Sequence, residues 1–201
     1  MKRVALVRHA ESVLGAQGVA NGDPRVHNPL SADGARQALA LGEVLAGTTI
    51  DLCMTSEFER AKQTADLALG GREVPRLVVA DLNEIRYGKW EGQPVADYLR
   101  WAWTHGPADP CPGDGESRVD AARRIVRGWR KVLAREEETG LVVSHGFALR
   151  YVLDAVRGRA PRATLEQLPL AQLRLVTAEE LQSGVALLEA WIEDPHWLRR
   201  C

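Results

Sequence analysis

Long apolar runs are missing from this chain of 201 residues. The longest, at 4–7 and 141–143, span only a few residues, whereas a membrane-crossing helix needs roughly 20. Met1, Lys2 and Arg3 lead into a short apolar stretch and then into charge. A secretory leader would need a longer apolar segment and a small-residue cleavage site. Cysteine is scarce: Cys53, Cys111 and Cys201 are odd in number and far apart, so they suggest neither a disulfide framework nor a zinc pattern. These absences predict a cytoplasmic protein. Excess charge of one sign is lacking too. The net charge is −1 and no Lys/Arg tract stands out, which argues against a nucleic-acid or membrane-surface partner. Repeats and low-complexity linkers are absent as well, so the chain reads as a single domain over 1–201.

What is present alternates strand-like and helix-like segments. Residues 4–7 form a short apolar run ended by charge, the pattern of a buried strand. Residues 8–30 hold Gly15, Gly18, Gly22, Pro24 and Pro29 and read as a long loop of the kind that carries function. Ser31 caps a helix to about Leu45, with Ala35, Ala38, Leu39, Gly42 and Leu45 assigned to its inner face. Strands follow at 51–55 and 76–80, with a helix at 57–69 between them that Gly70 and Gly71 terminate. Residues 83–92 read as a polar loop, 94–105 as a helix and 106–115 as a loop. The helix at 119–134 turns Val119, Ala122, Val126, Trp129 and Leu133 inward. A strand at 141–143 runs through Ser144, His145 and Gly146 into another helix, and 173–177 and 187–191 read as late strands. This alternation predicts an α/β protein, a mostly parallel sheet covered by helices on both faces. In such sheets polar sites gather at the carboxyl ends of strands, where His9 and His145 both fall.

Arg8 directly precedes His9, and Arg60 stands in the first turn of the helix that follows the second strand. A phosphate monoester carries about −1.5 to −2 charge near neutrality and is matched best by guanidinium groups. The start of the helix carrying Arg60 also offers free N–H groups to an anion. A neutral imidazole is a competent nucleophile, and neighbouring arginines disfavour its cationic form. The leaving alkoxide then needs a proton donor, and Glu84 in the loop after the third strand fits that need. With arginines supplying positive charge, phosphoryl transfer reduces mostly to positioning and charge stabilisation.

Five segments then point one way. LVRHAES at 6–12, SEFERAKQTA at 56–65, LNEIRYGKWEG at 82–92, PGDGES at 112–117 and VVSHG at 142–146 together resemble, in order, the histidine phosphatase superfamily, the phosphoglycerate mutase-like proteins. The resemblance covers about residues 3–155. It implies a three-layer α/β/α sandwich with a small helical lid segment, placed at 94–117. It implies catalysis without metal or other cofactor, with His9 as phospho-acceptor, Arg8, Arg60 and His145 on the phosphoryl group, and Glu84 as acid and later base. The family has Gly where this chain has Ala10, and Asn where it has Gly15. Asn21, in the same loop, is the candidate to replace that Asn at the phosphate. Ser12 either donates to the phosphate or satisfies the loop backbone, and Ser117 reads as a helix cap.

Of the remaining histidines, His27, His105 and His196 read as surface or structural, and Glu136–Glu138 as a solvated helix end. Trp101 and Trp103 lie two apart and cannot share a helix face, so at least one is exposed. With Trp90 they form either ordinary packing or an apolar rim that selects substrate. The short chain and the sequence of the acid loop favour a phosphatase acting on a small phosphorylated metabolite. The alternatives are a bisphosphate-primed phosphoglycerate mutase, a protein phosphatase, or a non-catalytic phosphate-binding regulator. The substrate itself and the oligomeric state are not legible, and an oligomer is compatible with everything above.

Overall fold

The computed structural model of the protein describes residues 1–164 and 167–197. Its elements run β1 (Arg3–Arg8), α1 (Val13–Ala16), α2 (Ala32–Leu45), β2 (Leu52–Thr55), α3 (Glu59–Leu69), β3 (Arg76–Val78), α4 (Val95–Thr104), α5 (Arg118–Leu133), β4 (Thr139–Ser144), α6 (Gly146–Val156), β5 (Leu173–Thr177) and α7 (Ala178–Glu193). The sheet order is β3-β2-β4-β1-β5. β3, β2, β4 and β1 are mutually parallel, and β5 joins β1 antiparallel.

Alternation along the strands builds the two outer layers. Val4 and Leu6 of β1, Met54 of β2 and Val142 of β4 point into one cluster with residues of α5, α6 and α7. Ala5, Val7, Cys53, Leu141 and Val143 point the other way, against α2 and α3. Central strands buried on both faces read as continuous apolar runs, and β2 and β4 are buried at every position. The expected three-layer α/β/α sandwich is therefore what forms. Trp129 of α5 is fully buried in the first of these clusters. That burial is worth about 4–6 kcal/mol of transfer energy, which exceeds the cost, about 1–3 kcal/mol, of its unpartnered indole N–H.

Helix ends follow local chemistry. Ser31, Ser117 and Thr177 each accept a backbone N–H in the first turn of α2, α5 and α7. Gly70 ends α3 in the left-handed conformation, with φ 54°, as its lack of a side chain allows.

Four readings need correction. Residues 187–191 lie in α7 rather than in a strand: the capping box formed by Thr177 and Glu180 starts a helix that continues to Glu193. On α2 the inner face is Gly34, Ala38, Leu41 and Leu45, and Leu39 is 54% exposed, because the stripe lies one step around the helix from where it was assigned. The loop at 8–30 is interrupted by α1. Glu136–Glu138 follow α5 as irregular chain, with Lys2 and Arg135 paired to Glu138 and Glu137. Cys53 and Cys111 are buried free thiols; Cys201 lies outside the described residues. No described helix is long and apolar enough to cross a membrane.

Candidate active site

The strand order decides what meets. β2, β4 and β1 are neighbours, so the segments leaving their carboxyl ends converge. The backbone N–H groups of His9 and Ser56 continue the ladder onto the carbonyls of Ser144 (2.9 Å) and Val143 (3.3 Å). A cavity of about 130 Å³ opens there, and Arg8, His9, Ser12, Asn21, Arg60 and Glu84 are among its lining residues.

His9 is buried, and its Nδ1 lies 2.7 Å from the Ala10 carbonyl. Only a protonated Nδ1 can donate there, so the lone pair is on Nε2. Nε2 in turn accepts a bond of 3.2 Å from Arg60 Nε. Burial first, then the charges of Arg60 and Arg8, hold the His9 pKa well below 6.5. The imidazole is neutral at physiological pH, with its unprotonated nitrogen among guanidinium groups.

Arg60 organises this centre. Nη1 donates to Asn21 Oδ1 at 2.6 Å, Nη2 to the Asn21 carbonyl at 3.1 Å, and Nη2 also reaches His145 Nδ1 at 3.3 Å. Burial lowers its pKa to about 10, which still leaves it charged at neutrality. Phe58 packs under the guanidinium, 4.2 Å from ring centre to Cζ. Of the first turn of α3, Arg60 alone lines the cavity, so the side chain rather than the helix start faces the site.

His145 caps α6 and is fully buried, and it is not among the residues lining the cavity. Its Nδ1 accepts from Arg60, so Nε2 carries the proton and donates to Ser56 Oγ at 2.7 Å. Its ring centre lies 5.0 Å from that of His9. Burial, then Arg60 and His9, keep it neutral. His145 thus forms a second layer behind Arg60 and His9. Arg8 donates through Nη1 to Leu168 O (2.6 Å) and Gln167 Oε1 (3.1 Å), while its buried Nε has no partner.

Glu84 is 8% exposed, and its Oε1 accepts from the Ile85 N–H at 3.0 Å. Burial raises its pKa; the Ile85 bond and the charges of Arg60 and Arg8 oppose this without cancelling it. The loop carrying it is clamped from α5. Arg124 donates to the carbonyls of Asp81, Asn83 and Glu84 at 2.9–3.1 Å, and it is gripped at 2.7 Å by both oxygens of buried Glu116. Burial disfavours the Glu116 anion, but Arg124 outweighs this and holds its pKa below the usual value.

Asn21 and Ser12 sit at the cavity with their side chains engaged. The Asn21 amide gives its oxygen to Arg60 and to Asn28 Nδ2 (3.0 Å) and its nitrogen to the Asp23 carbonyl (3.0 Å). It therefore holds Arg60 through its oxygen, and one Nδ2 proton is left over to face the cavity. Ser12 Oγ accepts from Gly15 N at 3.2 Å as the cap of α1, which leaves its hydroxyl proton free to donate.

Sequence reasoning missed several supports. Thr64, one turn after Arg60, accepts from Ala10 N at 2.9 Å and donates to Arg60 O, stitching α3 to the segment after β1. Asn28, Ser56, Tyr87 and the Glu116–Arg124 pair were missed too. The spacing Arg60/Thr64, one helical turn, was the available signal for Thr64. The others depend on contacts across distant segments. Trp90 is buried, Trp103 is 45% exposed, and Trp101 packs between Trp90 and His105. His27 pairs with Glu59 at the surface.

A family model, histidine phosphatase superfamily (branch 1), matches residues 4–193. The chain is 30% identical over 168 residues to the adenosylcobalamin/alpha-ribazole phosphatase of Escherichia coli (strain K12), covering 80% of this chain and 82% of that protein. It is 31% identical over 179 residues to the phosphatase PhoE of Bacillus subtilis (strain 168), covering 89% and 86%. Among solved structures it resembles the alpha-ribazole phosphatase of Shigella flexneri, with a TM-score of 0.74, 27% identity and coverage of 86% and 89%. It also resembles a mycobacterial glucosyl-3-phosphoglycerate phosphatase in complex with VO3, with a TM-score of 0.70, 28% identity and coverage of 87% and 92%.

Proposed function

The chain belongs to the histidine phosphatase superfamily, and from that premise we propose that it hydrolyses small phosphate monoesters through a phosphohistidine on His9, without a metal ion. One observation carries this reading: a neutral imidazole whose unprotonated Nε2 lies against Arg60 in a buried cationic pocket, with the carboxyl of Glu84 lining the same cavity.

In this mechanism the ester's phosphoryl oxygens compete for the N–H groups of Arg60 and Arg8. His9 Nε2 attacks phosphorus and the P–O bond to the alcohol breaks. Glu84, whose burial raises its pKa and so favours the protonated form, gives its proton to the departing oxygen. Water then attacks the phosphohistidine and loses its proton to the Glu84 carboxylate. Inorganic phosphate leaves, and His9 and Glu84 return to their starting states. The bond from His9 Nδ1 to Ala10 O persists throughout and fixes the ring. Ser12 donates to the phosphoryl group, Asn21 positions Arg60, and His145 fixes the guanidinium from behind. Segment 94–117, which contributes Val95 to the rim, acts as the lid. Buried free thiols fit a reducing cytoplasm.

The test is a single-turnover reaction with a ³²P-labelled aryl phosphate in EDTA, quenched in alkali, where phosphohistidine survives. Label on His9, with free phosphate as product, is the expected result. Label on another residue, dependence on added metal, or a His9→Ala variant that still turns over would refute it. Interconversion of phosphoglycerates without phosphate release would make the protein a mutase.

A further inference from the structure

Beside the phosphate cavity lies a second one of about 110 Å³, lined by Ile85, Tyr98, Leu99, Arg118, Phe147 and others. The two share Arg8, Glu84, Tyr87, Val95 and Gln167, so they are compartments of one cleft. The second wall is mostly apolar and aromatic, yet it contains the guanidinium of Arg118, which is only 5% exposed.

The described residues compensate that charge only in part. Arg118 Nε donates to the Tyr98 hydroxyl at 3.2 Å, and its Nη1 has no hydrogen-bond partner. The Tyr151 hydroxyl lies close enough to stabilise the charge, but as a neutral dipole and without well-aligned hydrogen-bond geometry. Among the described residues no carboxylate pairs with Arg118. Burial pushes the Tyr98 pKa up to about 12 and raises that of Tyr151, so both phenols are neutral. The rings of Phe147 and Tyr98, 5.5 and 5.8 Å from Cζ, offset only part of the desolvation. A buried ion without a counter-ion is costly to a fold, and the groups that meet it here, two phenol hydroxyls and the faces of Tyr98 and Phe147, carry no charge. Arg150 lines the same wall, with Asp154 at 3.7 Å, and Arg8 closes the boundary with the phosphate cavity. A monoanionic, planar group matches a guanidinium best and costs less to desolvate than a second phosphate.

We propose that this compartment is a specificity subsite in which Arg118 binds a carboxylate of the substrate, carried on an apolar spacer away from the scissile phosphate. Resting on the phosphatase reading above, it narrows the substrate class to phosphate monoesters that are also carboxylic acids.

The probes are 4-(2-carboxyethyl)phenyl phosphate and its carboxamide, which share leaving group, shape and phosphate and differ in one charge. The wild-type enzyme is expected to favour the acid by about tenfold or more in kcat/KM, as a hydrogen bond between charged groups allows, through KM rather than kcat. Arg118→Met should bring that ratio to within about twofold of unity, and Arg118→Lys should restore part of it. A wild-type ratio near one, with both esters hydrolysed, would overturn the subsite while leaving the phosphatase reading standing. A ratio that survives in Arg118→Met would overturn it as well. Hydrolysis of neither ester would instead sink the phosphatase reading and the subsite with it. A wild-type ratio near one refutes the subsite without needing any variant to fold.

Discussion

Asn21 offers a perturbation that separates holding Arg60 from letting it meet an anion. Its Oδ1 takes a 2.6 Å bond from Arg60 Nη1 and a 3.0 Å bond from Asn28 Nδ2. Asn21→Leu keeps the volume and removes the acceptor. It leaves two buried donors unsatisfied, one of them charged, at a cost of about 2–4 kcal/mol. Asn21→Asp keeps the acceptor and adds a carboxylate to the cavity wall. An ion pair with Arg60 is gained, and the bond to the Asp23 carbonyl is lost to an oxygen facing an oxygen. The two roughly offset, and stability should stay within about 1–2 kcal/mol of wild type. Phosphate then meets a like charge. At about 6 Å and an effective dielectric near 20, each unit of charge costs about 2.8 kcal/mol, or about 100-fold in affinity. The assays are urea unfolding and competitive inhibition by orthovanadate, both at pH 7. Stability should rank wild type, then Asp, then Leu, whereas vanadate affinity should rank wild type, then Leu, then Asp. If the two readouts follow the same order, or Asn21→Asp binds vanadate as tightly as wild type, the electrostatic account of this pocket is refuted.

Glu84→Gln preserves the acceptor for the Ile85 N–H and removes the transferable proton. It should slow alkyl phosphates by about 10²–10⁴ and p-nitrophenyl phosphate by less than about tenfold; equal slowing of both would exclude an acid role. Stability should fall as pH drops from 7 to 5. His9 and His145, held neutral well below 6.5, bind protons only in the unfolded chain, which outweighs the opposing effect of Glu84, protonated in the fold above 4.5. The net difference of about one proton gives about 1.4 kcal/mol per pH unit between roughly pH 5 and 6, measurable by urea unfolding across buffers. His9→Gln should flatten that slope, and a slope of opposite sign would mean that these histidines are charged in the fold.

Local patterns carried the reading where one element decides its own fate. The apolar run ending in Arg8, the serine caps at Ser31 and Ser117, and the glycine pair after α3 announced themselves because short-range sterics and hydrogen bonds govern them. Where the outcome depended on two elements, the reading slipped. Leu39 was placed on the wrong face of α2 because the docking angle on α3 selects the stripe. Residues 187–191 passed for a strand because a short apolar run lacks a period of its own; the Thr177–Glu180 capping box ten residues upstream held the answer. Asn21 lines the cavity, and only the position of Arg60 shows that its amide oxygen is taken up in holding the guanidinium.

The order of residue types along the chain was enough to give most of the alternation of strands and helices and the family, since each of those is written in contiguous stretches. The sequence could not say that β2, β4 and β1 lie side by side, that His145 stands behind the cavity wall instead of in it, or that Arg118 lies buried with no carboxylate paired to it among the described residues. Those facts arise from packing between segments far apart in the chain. There the solvent exclusion that sets each pKa and orients each donor exists only once the layers have closed.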